Sequence, residues 1–190
     1  MTFKKSIQVI ALIILPLVFL TYASLWPKKI HPREISLKQA IELCLPEAFR
    51  WSPDARLAYI ISTEAGEYPE VGSHGKNGLR SNWNVIFVEK STGRNLLVAV
   101  REGRMSYTRE LLMAFKHPIN ISALKLDSTA AIKRLTTGKN PLPSKVHFEL
   151  VNQQSLVLRV YHEYSGMDSR ITSIDEATGD VISHWDSTVD

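Results

Sequence analysis

The sequence contains one dipeptide that resembles the start of a zinc-peptidase motif. His162 is followed by Glu163, but Gly166 stands where such a motif requires a second histidine, one helical turn further on. The surrounding residues alternate between apolar and polar, which favours a β-strand, and adjacent side chains of a strand point to opposite faces. We therefore predict no zinc site built on this pair.

A second stretch, Gly72–Gly78, contains the Gly-Lys pair of a phosphate-binding loop. Such a loop requires glycine at position 70 and serine or threonine at position 77, but Glu70 and Asn77 occupy these positions. The stretch belongs to a long polar segment, Glu64–Asn82, that includes several glycines. We predict a flexible surface loop here rather than a nucleotide site.

Three other residues of reactive types are expected to be structural. Cys44 is the single cysteine, which excludes an internal disulfide and a cysteine-cluster metal site, and it lies on an apolar helical stripe. Asp175 and Asp180 flank a turn, where solvated acidic residues are common. With no catalytic signature left, we predict that the protein is not an enzyme and holds no metal or cofactor.

The net charge of +4 does not indicate nucleic-acid binding. Four of the 23 lysines and arginines, Lys4, Lys5, Lys28 and Lys29, flank the N-terminal segment, so the remaining 19 balance the 19 acidic residues. A nucleic-acid-binding domain needs clustered basic residues on its folded surface to displace counterions. We predict no nucleic-acid partner.

The N-terminal segment is typical of a membrane helix. Ile7–Leu25 contains no charged residue, and as a helix it would be about 28 Å long, close to the thickness of a bilayer core. Two interpretations stay open: an uncleaved anchor, which we favour, or a signal peptide cleaved after Ala23. Both place the rest of the chain outside the cytoplasm, in the periplasm or at the cell exterior, either tethered to the membrane or secreted.

The remaining sequence predicts a helix followed by strands, twice. Ser36 and Gln39 form a capping box at the start of the first helix, and Pro46 is expected to end or kink it. Asp127 or Ser128 caps the second helix. The connector between the halves, 106–126, is expected to contain a helical turn at Glu110–Lys116. Predicted strands are Arg56–Thr63, Trp83–Val88, Leu96–Val100, Val146–Val151, Ser155–Glu163, Arg170–Asp175 and Val181–Trp185.

The strands Val146–Val151 and Ser155–Glu163 favour a hairpin in which Leu150 opposes Leu156. This register places apolar residues on one face, as a half-buried antiparallel sheet requires. It makes Glu149 and Arg159 diagonal neighbours on the other face. That polar face is the candidate partner-binding surface, and its members are His147, Glu149, Arg159, Tyr161 and Glu163.

The second half resembles a PepSY-type domain, and the whole chain resembles a tandem of two. The resemblance rests on the helix Thr129–Leu135, the strand Ser155–Tyr161 and the stretch Ile174–Ile182, which contains a Thr-Gly turn between acidic residues. The predicted fold class is α+β, with a transmembrane helix followed by two helix-plus-antiparallel-sheet (PepSY/cystatin-like) units. The expected divisions are 1–30 for the anchor, 31–105 and 127–190 for the units, and 106–126 for the connector.

The resemblance implies a non-catalytic binding role. Such domains occur in the propeptides of secreted metallopeptidases and in bacterial envelope proteins. We therefore expect a regulatory module whose partner is an envelope protein, for example a peptidase. The alternatives are a structural subunit of an envelope complex, or a hydrolase that uses His147 or His162 in an unrecognised site.

Overall fold

The computed structural model of the protein describes residues 32–64, 73–112, 115, 117–136, 143–152, 155–164 and 169–187. The expected membrane segment Ile7–Leu25 and the cleavage position after Ala23 lie outside these residues. Within them, no helix combines the length and the apolar character that crossing a membrane demands.

In this part of the chain, the fold is an eight-stranded antiparallel sheet with two α-helices. Along the sheet the strands follow the order β4-β3-β2-β1-β5-β6-β7-β8. The elements are α1 (Leu37–Trp51), β1 (Ala55–Ser62), β2 (Trp83–Glu89), β3 (Asn95–Arg101), β4 (Arg104–Leu111), a 3-10 turn (Ile121–Ala123), α2 (Ser128–Leu135), β5 (Lys145–Asn152), β6 (Leu156–Glu163), β7 (Ser169–Asp175) and β8 (Val181–Ser187).

The prediction of two separate helix-plus-antiparallel-sheet units is wrong. The two halves form one continuous sheet, because β1 pairs with β5 through contacts such as Ile60 opposite Leu150. Without this pairing, both strands would be edges with unpaired backbone groups. Ile41 of α1 and Ala131 of α2 also belong to the same hydrophobic core, so the halves share one interior.

Helix α1 begins as predicted and continues past Pro46, so this proline does not end the helix, which was one of the two expected effects. Ser36 and Gln39 form the capping box, and Cys44 lies fully buried on the apolar stripe. Pro46 lies inside the helix, which continues to Trp51. Proline removes one helical hydrogen bond. The burial of Ala48 beyond it supplies the tertiary packing that sustains most helices.

The connector region contains a strand that the sequence analysis missed. Strand β4 pairs with β3 over a stretch that includes Glu110, where a helical turn was predicted. Nearly all of its residues are exposed, so it lacks the alternation that marks a half-buried strand. Its turn is a two-residue loop, Glu102-Gly103, with positive φ at both positions (53° and 68°), which is the geometry that two-residue hairpins favour.

The predicted β5–β6 hairpin is present with a register that differs by two residues. Leu150 opposes Leu158, and Phe148 opposes Val160. A shift of two residues leaves every side chain on its predicted face, because side chains alternate with a period of two. Apolar alternation therefore predicted the buried face correctly, but it could not distinguish this register from the expected one.

Candidate functional site on the outer sheet face

All five predicted binding residues lie on one face of β5 and β6. We call it the outer face, because Phe148, Leu158 and their apolar neighbours point to the core on the opposite side. His147 is opposite Tyr161, and Glu149 is directly opposite Arg159 rather than diagonal to it. Glu163 is opposite Lys145 at the end of the ladder.

The centre of the outer face is a carboxylate that receives three donors. Glu149 is only 9% exposed. Tyr59 donates its hydroxyl to Glu149 Oε1 at 2.7 Å, and Arg159 Nη1 donates to Oε2 at 3.1 Å. The Tyr161 hydroxyl also donates to Oε2. This group, which we call the Glu149 network, links three strands, because Tyr59 belongs to β1.

The electrostatics of the Glu149 network favour an ionised carboxylate and protonated phenols. Burial alone would raise the pKa of Glu149, but the hydrogen bonds from Tyr161, Tyr59 and Arg159 outweigh it and lower that pKa. Burial and the bond to Glu149 raise the pKa of Tyr161 to about 12, and they raise that of Tyr59 as well. These pKa values keep the network in one protonation state near neutral pH, which suits positioning better than proton transfer.

A second cluster surrounds His147. Its Nε2 atom lies 3.0 Å from Glu64 Oε1 and 3.7 Å from Glu163 Oε1. Lys145 Nζ donates to the same Glu64 oxygen at 2.9 Å. Burial, together with the nearby guanidinium of Arg80, lowers the pKa of His147, although Glu64 and Glu163 act in the opposite direction. The net effect of these surroundings favours the uncharged form of the ring.

An apolar row adjoins the two polar clusters. Tyr161 is opposite Ile171 on β7, which in turn is opposite Trp185 on β8. Trp185 lies on the edge strand β8 and is 57% exposed, whereas Trp83 in the middle of the sheet is fully buried. The outer face thus presents an exposed indole on an edge strand beside the Glu149 network.

Sequence reasoning missed Tyr59, Glu64 and Lys145. Tyr59 and Glu64 come from β1 and from the residues that follow it, which only the β1–β5 pairing brings to the site. Lys145 begins β5 and was left outside the predicted strand, which started one residue later. Strand β1 is largely apolar without regular alternation, and its pairing is irregular between Leu57 and Tyr59, so no local pattern placed Tyr59 on the outer face.

The hydrolase alternative placed His147 or His162 in an unrecognised site with nearby acidic residues. The two histidines lie on opposite faces of the sheet, because His162 is opposite Val146 and is buried on the core side. Burial lowers the pKa of His162 to about 4. Burial also raises the pKa of the Cys44 thiol to about 12, as expected of an inert core cysteine.

The Gly-Lys stretch is packed rather than open where it is described, from residue 73 onward. Ser73 donates from its backbone N–H and its hydroxyl to Glu34 Oε1, at 2.7 and 2.9 Å. The Gly78 carbonyl accepts a 2.6 Å hydrogen bond from Ser128 at the start of α2. These hydrogen bonds attach residues 73–78 to Glu34 and to the start of α2, whereas the sequence predicted a flexible surface loop.

The hydrogen bonds of the turn between β7 and β8 support the structural role that was expected for Asp175. One oxygen of Asp175 accepts from the backbone N–H groups of Ala177 and Thr178, at 2.8 and 3.0 Å. The backbone N–H of Asp175 donates to the Asp180 carbonyl at 2.9 Å. The carboxylate therefore holds the turn in shape.

Comparisons with known proteins give a fold but no family. No protein-family model matches this sequence, and no curated protein sequence matches it. The fold is similar to the crystal structure of a putative lipoprotein from Clostridium difficile 630, with a TM-score of 0.51. The sequences are 8% identical, and the match covers 76% of this chain and 90% of the other. Such a similarity concerns the fold alone, and the resemblance to PepSY-type domains stays a prediction.

Proposed function

We propose that this protein is a non-catalytic binding module that acts outside the cytoplasm and docks another envelope protein on its outer sheet face. The observation that carries this proposal is a row of three side chains, exposed Trp185 and half-buried Ile171 and Tyr161, that adjoins the Glu149 network. Tryptophan, tyrosine and arginine are the residues that most often dominate the binding energy of protein interfaces.

The geometry of the Glu149 network supports binding rather than chemistry. Its carboxylate, two hydroxyls and guanidinium are joined to one another, so they are fixed before a partner arrives. Such preorganisation reduces the entropy that is lost when an interface forms. The strands that carry these residues are continuous with the rest of the sheet, which makes the surface rigid.

Two observations favour an extracytoplasmic location. Ile7–Leu25 is uncharged and long enough to cross a bilayer. In addition, the protein of similar fold is described as a putative lipoprotein, a name that indicates attachment to a membrane. The proposed partner is therefore an envelope protein, and a peptidase whose cleft is blocked by the module is the simplest regulatory case.

Site-specific photo-crosslinking in cells of the native host tests this function. A photoreactive residue replaces Ser183, which lies on the outer face of β8 opposite Ser173. The control carries the same residue at Lys133, an exposed position of α2. We expect a discrete protein adduct from position 183 only, and we expect its loss when Trp185→Ala is added. Equal adducts from both positions, or none from position 183, would contradict the proposal.

A further inference from the structure

Three potential metal ligands converge at one end of the outer face. The nearest donor atoms of Glu64, His147 and Glu163 all lie within 4.8 Å of one another. His147 Nε2 is 3.0 Å from the Glu64 oxygen and 3.7 Å from the Glu163 oxygen. Tetrahedral zinc with bonds of about 2.0–2.1 Å holds its ligand atoms about 3.3 Å apart, a separation that these two distances bracket.

We propose that Glu64, His147 and Glu163 bind a divalent first-row transition-metal ion such as Zn²⁺. One imidazole nitrogen and two carboxylate oxygens form a mixed donor set that suits such ions. Mg²⁺ and Ca²⁺ prefer oxygen ligands throughout, so this set disfavours them. Water would complete the coordination sphere. The sequence alone gave no sign of the site, because its ligands are spread over 100 positions of the chain, from 64 to 163.

The sheet places each ligand. His147 lies on β5 opposite Tyr161, and Glu163 lies two residues further along β6, on the same face and at the diagonal position. Glu64 follows two residues after the end of β1, the strand that pairs with β5 on its other side. Two of the three ligands therefore stand on paired strands, which are more rigid supports than loops.

The environment of the imidazole orients Nε2 towards the carboxylates. Ser62 Oγ lies 3.5 Å from Nδ1 of His147, and it accepts a 2.9 Å hydrogen bond from the backbone N–H of Phe148, which fixes the hydroxyl. Metal-binding histidines commonly have such a partner at their second nitrogen. Nε2 carries at most one proton, so it cannot donate fully to both carboxylates, whereas a divalent cation can bind Nε2 and both carboxylates together.

Lys145 is the natural competitor of the ion. Its ammonium donates to the Glu64 oxygen at 2.9 Å, and its side chain is 37% exposed, so it is free to turn into solvent when a metal binds. The buried guanidinium of Arg80 adds positive charge nearby, which also opposes a cation. Removal of the lysine charge should therefore strengthen metal binding, whereas loss of a ligand should weaken it.

The test is a calorimetric titration of the full chain with Zn²⁺. The absorption spectrum of added Co²⁺ is a second measurement on the same protein. His147→Gln and Glu163→Gln each remove one ligand, and His117→Gln removes an exposed histidine elsewhere as the matched control. We expect one Zn²⁺ per chain, and binding at least about tenfold weaker in either ligand variant but unchanged in the control. Lys145→Met should bind up to about fivefold more tightly.

Several results would overturn the proposal. The proposal is contradicted if the unmodified chain does not bind Zn²⁺ saturably, or if His147→Gln and His117→Gln bind Zn²⁺ with equal affinity. It is also contradicted if the unmodified chain binds Mg²⁺ as tightly as Zn²⁺. Circular dichroism checks that each variant is folded. Should a ligand variant fail to fold, the opposite effect of Lys145→Met and the Co²⁺ spectrum of the unmodified chain still decide the question. His147 and Glu163 also belong to the outer face, but the row of Trp185, Ile171 and Tyr161 that carries the docking proposal contains no metal ligand. The metal test and the docking test can therefore fail separately.

Discussion

Removal of the Glu149 carboxylate should destabilise the fold more than removal of any exposed acidic group of the outer face. The carboxylate is 9% exposed and accepts from Tyr59, Tyr161 and Arg159. Glu149→Ala would leave two phenols and one guanidinium without their acceptor in a largely buried setting. Breaking a buried ion pair by removing one partner typically costs about 3–5 kcal/mol.

The expected loss of folding stability for Glu149→Ala lies at the lower end of that range. The Arg159 side chain is 30% exposed, so water can replace part of what it loses. We expect a decrease of about 3 kcal/mol in the free energy of unfolding for Glu149→Ala. For Glu149→Gln we expect about 1–2 kcal/mol, because the amide keeps the shape and one acceptor oxygen but loses the charge.

Urea unfolding at pH 7, followed by circular dichroism, measures these differences. Glu163→Gln is the control, because that carboxylate is 48% exposed and its loss should change the stability by no more than about 0.5 kcal/mol. Combining Glu149→Ala with Tyr59→Phe should cost less than the sum of the two single changes, since the pair interacts directly. If Glu149→Ala and Glu163→Gln have equal effects, the reasoning about the Glu149 network is wrong.

Three further predictions concern the core, the β3–β4 hairpin and one buried acid. Burial raises the pKa of Glu176 despite hydrogen bonds from two backbone N–H groups, so the folded state holds its proton more tightly than the unfolded chain does. Stability should then fall as pH rises from about 4.5 through the raised pKa, and urea unfolding at several pH values should show a smaller fall for Glu176→Gln. Gly103→Ala should lower the melting temperature more than Gly93→Ala. Both glycines have positive φ, but a Cβ added at Gly103 would lie 2.3 Å from the Arg33 carbonyl oxygen, whereas one added at Gly93 would meet no atom within 4 Å. Cys44 should react with a thiol reagent only after unfolding, because it is fully buried and its pKa is raised to about 12; rapid labelling of the native protein would contradict this.

The elements that the sequence predicted well are those whose signals are local. The capping box at Ser36 and the buried stripe through Cys44 depend on neighbouring residues of one helix. The outer-face position of Glu149 and Arg159 follows from the period of two along a strand. Short-range patterns of this kind survive in the folded chain because tertiary packing reinforces them.

The features that the sequence did not predict depend on distant pairing or on weak patterns. Tyr59 donates to Glu149 across 90 positions of the chain, and no local signal indicates that β1 and β5 are neighbours. The exposed strand β4 shows no alternation of buried and exposed residues, so the strand that follows the Glu102-Gly103 turn was not recognised. The prediction of two separate units failed because each strand pattern describes its own faces and does not specify which strand lies beside it.

The central claim is that the outer face of β5–β8 holds a partner protein, and the affinity of that partner tests it most directly. Trp185→Ala removes the exposed indole of this face, whereas Phe49→Ala removes an aromatic ring of similar exposure, 49% against 57%, from helix α1. For the protein captured through position 183, we predict binding about 30-fold weaker with Trp185→Ala, the loss expected for an interface hot spot of about 2 kcal/mol, and unchanged binding with Phe49→Ala. Equal affinity for the two variants, or a loss confined to Phe49→Ala, would contradict the account.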